Sequence, residues 1–190
     1  MFPSLDILKS YNCLGERHLE DGTLLIGHAP HIAPQAWLHC IYPPLSDKEL
    51  CDLENELNES MPDSYRLFLK NTNGLNVFNT TFNLYGLRKN YKRDVVSVWQ
   101  PFDILTPNRL ERPGNAKRNF LFIGSYNWDG SLLYIDRNFG NVHVCNRDDS
   151  TSLFQWANFD EMLDSEIKRV VTLFDDKGKT YNEDKSTLPF

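Results

Sequence analysis

The chain has 190 residues, 41% of them hydrophobic and 13% aromatic, which is ample for one packed core and short for two. Its net charge of −6 argues against a broad nucleic-acid footprint, since phosphate binding needs concentrated positive charge, yet it suits a basic protein partner. Four cysteines, Cys13, Cys40, Cys51 and Cys145, lie far apart with no C-x-x-C pair, so buried free thiols are expected rather than a disulfide framework.

The start, Met1-Phe-Pro-Ser-Leu-Asp6, lacks the basic head and unbroken apolar run of a signal peptide. No later stretch is long enough to cross a bilayer, so a cytoplasmic protein without membrane contact is expected. Residues 1–40 read as an N-terminal extension packed on the domain, with one short strand near Thr23–Ile26 among its glycines and prolines. His28, His31, His39 and Cys40 hint at a metal. A structural zinc site needs two regularly spaced ligand pairs, and prolines interrupt this set, so neither metal nor cofactor is expected.

At Ser46-Asp-Lys-Glu49 a capping box opens a helix at Asp47, with Leu45 stapling onto Leu50 and Leu50, Leu53 and Leu57 on its apolar face. Glu49, Asp52, Glu54 and Glu56 form the solvated side. After a connection at Asn58–Ser60, Met61–Gly74 holds a complete second helix signature. Pro62 suits the first turn, Tyr65, Phe68, Leu69 and Thr72 share a face, and Asn73-Gly74 supplies a left-handed stop. The two helices are expected to form an angled pair.

Short strands follow around Phe78, Phe82, Leu84 and Tyr85, before Gly86. Arg88–Arg93 is the one basic run and reads as an exposed loop or helix start. Val95–Trp99 reads as an apolar element, and Pro101–Asn115 as a long loop of the kind that meets partners. The clearest β region is Asn119–Cys145, where Phe120–Ile123, Leu132–Ile135 and Val142–Cys145 are separated by turns at Asp129-Gly130 and Asn138–Gly140. Their near-continuous apolar runs imply an antiparallel meander partly covered on both faces. Asn158–Glu161 starts a C-terminal helix, and residues 175–190 read as a polar, weakly anchored tail. The predicted fold is α+β: a single domain, mainly an antiparallel mixed sheet, flanked by an N-terminal helical pair and a C-terminal helix.

This order of elements resembles the SUKH superfamily, which includes yeast cell-wall-synthesis regulators and many bacterial immunity proteins. The resemblance covers about residues 41–174 and rests on Ile41–Leu50 as the first helix entry, Met61-Pro62-Asp-Ser-Tyr65 as the Leu-Pro-x-x-Tyr opening, and Phe68-Leu69 through Asn73-Gly74 as its close. Phe120–Gly124 through Asp129-Gly130 and Tyr134–Asp136 is similar to the family's strand, turn and strand. Met61 replaces the usual leucine, Asn-Glu-Ser stands where a glycine often separates the helices, and the first forty residues have no clear counterpart.

The resemblance implies a domain that binds another protein and implies no reaction, in keeping with a sequence that carries no G-x-S-x-G, H-E-x-x-H or P-loop. An immunity protein blocking a cognate polymorphic toxin, a basic nuclease among the options, is the first expectation, as a monomer or weak dimer. Trp99, Tyr126, Trp128 and Asp129 are the candidate partner contacts, although Trp99 suits the core better than a contact and Trp128 suits either. The alternatives are a regulatory or scaffolding protein of cell-wall or signalling type and, behind it, a metal enzyme built on Asp136, His143 and Cys145.

Overall fold

In the computed structural model, residues 2–92 and 98–190 are described. The expected apolar element at Val95–Trp99 and the end of the basic run at Arg93 therefore lie wholly or partly outside the described residues. Nine strands form one sheet in sequential order: β1 Glu16–His18, β2 Leu24–His28, β3 Trp37–Ile41, β4 Leu75–Val77, β5 Phe82–Leu84, β6 Phe120–Tyr126, β7 Leu132–Asp136, β8 Val142–Cys145 and β9 Phe154–Trp156. All eight strand pairings are antiparallel. A parallel bridge, Gly86 with Asp103, lies outside the named strands.

Four helices, α1 Leu5–Leu8, α2 Asp47–Leu57, α3 Asp63–Leu69 and α4 Phe159–Val171, contribute to the main core on one sheet face. The capping box of α2 is formed, Ser46 accepting from the Glu49 N–H and the Glu49 carboxylate accepting from the Ser46 N–H. Leu45, Leu50 and Leu53 are buried as the staple and stripe require. In α4, Asn158 caps Glu161, and Phe159, Met162, Leu163, Ile167 and Val170 are buried at helical spacing.

The second helix signature is realised more briefly than its sequence suggests. Pro62 occupies the N-cap rather than the first helical position, and α3 ends at Leu69, before Thr72 and Gly74. Tyr65, Phe68 and Leu69 are fully buried in the core, and the Tyr65 hydroxyl reaches the carbonyls of Tyr85 and Ile123 at 2.6 and 3.2 Å. Gly74, at φ 91°, is needed for close approach: a Cβ there would lie 2.8 Å from the Leu84 carbonyl oxygen. Asn73 does not cap the helix. Its side chain accepts from the Leu87 N–H at 2.6 Å and donates to the Leu87 carbonyl at 2.9 Å, clamping the segment that follows β5.

The N-terminal residues extend the sheet, since β1, β2 and β3 all precede residue 44 and β3 pairs directly with β4. The C-terminal segment is likewise anchored. Phe174 stacks on Phe78 with ring centroids 4.0 Å apart, Gly178 is buried against Leu38, and Arg169 donates to the Thr187 carbonyl.

A bulge between Phe122 and Gly124 shifts the register of β6 on β7. Before it, Phe120 and Phe122 join the smaller apolar cluster with Leu132, Tyr134 and Cys145; after it, Ser125 shares their face and Tyr126 turns into the main core. Gly124 sits where a Cβ would run into the Asn83 carbonyl, so no other residue fits between β5 and β7 at this point. Because β5 ends at Leu84, opposite Gly124, the first half of β6 has no strand on that side among the described residues. Side chains take its place: Asn108 donates to the Phe122 carbonyl at 2.7 Å and accepts from its N–H at 2.9 Å, and Arg112 donates to the Phe120 carbonyl.

Candidate functional site

The helix-bearing face is filled, so attention falls on the other face of the sheet. Register places Arg17, Leu25, Cys40, Asn76, Asn83, Ser125, Leu132 and Cys145 in one row across β1 to β8. Beyond exposed Arg17 the row is apolar on both flanks and polar at its centre. At one end Leu25, Cys40 and Tyr42 pack with half-buried Trp37 and Trp99; at the other Leu132 and Cys145 pack with Phe120, Phe122 and Tyr134. Above the polar centre run the segment after β5 and the long loop before β6.

Three adjoining depressions of about 430, 300 and 230 Å³ lie here. The first two share Arg88 and Phe102, and the last two share Tyr42, Trp99, Gln100 and Pro101, so they form one groove across the helix-free face. Its largest chamber has Asn83, Ser125 and Leu132 from the sheet, Tyr85 and Arg88 just after β5, Phe102, Asp103 and Glu111 from the loop, and Arg147 after β8. The loop forms a π-helical turn at Thr106–Leu110, which Asn108 fastens to β6. Phe102, 44% exposed, lines the chamber, while Trp128, 44% exposed, and Leu110, 81% exposed, stand next in sequence to its lining residues Asn127 and Glu111, so large exposed apolar side chains accompany the groove.

The electrostatics of the chamber are local pairings. Tyr91 donates to Asp103 at 2.8 Å, and burial with that neighbouring carboxylate pushes its hydroxyl up to about 12. Burial holds the Tyr85 hydroxyl up to about 12 as well. Glu111 pairs with Arg147 at 3.2 Å, Lys89 pairs with Glu49 of α2, and Arg88 lies over the Tyr91 ring. Arg88 and Lys89 of the basic run are thus part of the groove wall.

Of the four candidate contacts, three are at the surface and one is not. Trp99 is half-buried over the Leu25–Cys40–Tyr42 patch at one end of the groove. Trp128 and Asp129 are exposed at the β6–β7 turn beside the other end, where Asp129 accepts from the Ser131 N–H and Gly130 takes φ 80°. Tyr126 is the correction: it has no exposed surface, because the bulge turns it into the core, where its hydroxyl donates to Glu166 at 2.6 Å. Glu166 is itself buried and takes two bonds from Arg169, at 2.9 and 2.8 Å. Residues missed in the sequence are Asn83, Phe102 and Asp103. Asparagine among Asn and Thr reads as turn chemistry, and no local pattern marks a loop phenylalanine as a groove wall.

The histidine cluster is dispersed. His39 is fully buried beside Tyr11 and Phe78, whereas its neighbour Cys40 lies in the patch on the opposite face, with its thiol pushed up to about 12 by burial. His28 is occupied by the Pro34 carbonyl. His143 stacks on Tyr134 and bonds Ser152, and Asp136 accepts from Asn119. Among the described residues no three His, Cys, Asp or Glu side chains gather as a metal site.

A sequential antiparallel sheet with helices on one face and a lined groove on the other defines an α+β scaffold that leaves one face open to contact. The chain belongs to the SMI1 / KNR4 family (SUKH-1), whose model matches residues 44–165, more than half of its length. The match begins after β3, so the first three strands lie outside it. No curated protein matches the chain. Among the described residues no helix is long and apolar enough to cross a membrane.

Proposed function

We propose that this chain is a non-catalytic, cytoplasmic protein-binding domain of the immunity type, which neutralises a toxin by taking it on the helix-free face of the sheet. The observation that carries this reading is the groove, with exposed Phe102 in its wall beside buried Asn83, and exposed Trp128 and Leu110 next in sequence to its lining residues. Large aromatic side chains next to desolvated polar groups are what concentrate binding energy in protein interfaces. Family membership supports a role in binding proteins. The net charge of −6 supports a basic partner, such as a nuclease, because long-range attraction raises its association rate. Co-expression with a toxin encoded beside its gene tests the proposal: growth should be rescued and a stable complex should survive gel filtration. Failure of both would refute it for that pair.

A further inference from the structure

Resting on that reading, we propose that the largest chamber of the groove is a receptor for one arginine side chain of the protein partner, with Asn83 and Asp103 as its acceptors. Asn83 is 2% exposed and lines the chamber. Its Nδ2 donates to the Thr80 carbonyl at 2.8 Å, which fixes the orientation of the amide and leaves Oδ1 buried without a donor. Asn76, directly opposite on β4, repeats the arrangement: Nδ2 donates to the Tyr42 hydroxyl at 2.9 Å, and Oδ1 is buried without a donor. A buried acceptor left in this state has lost its water without a replacement, so a ligand that supplies a donor gains on binding.

The charge points the same way. Glu111 is neutralised by Arg147, but Asp103 has no lysine or arginine within ion-pair distance among the described residues; Tyr91, Leu105 and Thr106 donate to it instead. The chamber therefore offers a carboxylate held by neutral donors and an unsatisfied amide oxygen, while the two arginines in its wall are engaged elsewhere, Arg147 with Glu111 and Arg88 over the Tyr91 ring. A guanidinium has five N–H donors and no acceptor, and its flat face stacks on aromatic rings. Tyr85 and Phe102 supply such rings in the chamber wall. Lysine offers a point charge without the stacking face. Because the Asn83 oxygen is closed to water, the donor reaches it by displacing a neighbouring side chain, and binding rearranges the chamber.

The test is an NMR titration of the isotopically labelled full chain with Nα-acetyl-arginine N-methylamide, and with the corresponding lysine and citrulline compounds. Saturable shifts are expected at the Asn83 side-chain amide and the main chain of Asp103–Thr106. Affinity for neutral citrulline should be about tenfold lower, as should affinity for arginine in Asp103→Asn and Asn83→Leu. Should Asn83→Leu fail to fold, Asp103→Asn and the citrulline comparison decide. Absence of saturable shifts, shifts centred elsewhere, or equal binding of citrulline would overturn the arginine receptor. If a toxin complex formed in spite of that, the protein-binding reading would stand and only the receptor would be lost.

Discussion

The side-chain amide of Asn108 pairs with the main chain of Phe122 as a neighbouring strand would, donating to its carbonyl at 2.7 Å and accepting from its N–H at 2.9 Å. It also donates to the Ile104 carbonyl, so one residue fastens the π-helical turn to the sheet and fixes the loop that carries Phe102 and Asp103. Asn108→Ala leaves two main-chain groups of β6 unpaired. A loss of about 2 kcal/mol in urea unfolding is expected, together with weaker partner binding from a loosened loop. Asn108→Asp retains the acceptor but not the donor and should retain part of the stability.

Tyr126 provides the contrasting case, in which a candidate contact is structural. Tyr126→Phe removes one hydrogen bond to a buried carboxylate that keeps its Arg169 pairing, and should cost about 1–2 kcal/mol with partner affinity unchanged. Glu166→Leu leaves Arg169 in place beside an apolar group and should cost about 3–5 kcal/mol. Urea unfolding together with a binding titration checks both. A fall in affinity without a fall in stability in Tyr126→Phe would contradict its placement in the core.

Acid should destabilise the fold through His39. Burial lowers its pKa from 6.5 to about 3, and its Nδ1 accepts from the Phe78 N–H, a bond that only the neutral ring can make. The unfolded state binds the proton more readily, so stability is full above about 6.5 and declines as pH falls towards 3, by roughly 4–5 kcal/mol over the whole range. Glu49, held down to about 2 by Lys89 and Ser46, adds a further loss as pH falls below about 4.5. Urea midpoints from pH 7.5 to 5 should fall in the wild type. They should change much less in His39→Phe, where half-buried His143, also lowered by burial, leaves a residual slope.

The elements were legible wherever the signal was local. The Ser46 box, the Asn158 cap, the Asp129-Gly130 turn and the three strands of Phe120–Cys145 each declare themselves within a few residues. What was hidden depends on distant pairing. The short strands β1 to β3 are interrupted by glycines and prolines, and only the pairing of β3 with β4 shows that they continue the sheet. The extra residue of the β6 bulge reverses the face of everything after it, so alternation counted from Phe120 sends Tyr126 the wrong way. Asn73 and Asn108 look like turn residues in sequence, yet each clamps a main chain 14 residues away.

The central claim is that the helix-free face binds a protein. Its most direct test is a calorimetric titration of a toxin domain encoded beside the gene against the wild type and against Phe102→Ala and Trp128→Ala, which remove exposed rings and should leave the urea midpoint unchanged. A stoichiometric complex is expected, which each substitution weakens by about 2 kcal/mol or more. A tight complex indifferent to both substitutions would show that the partner binds elsewhere.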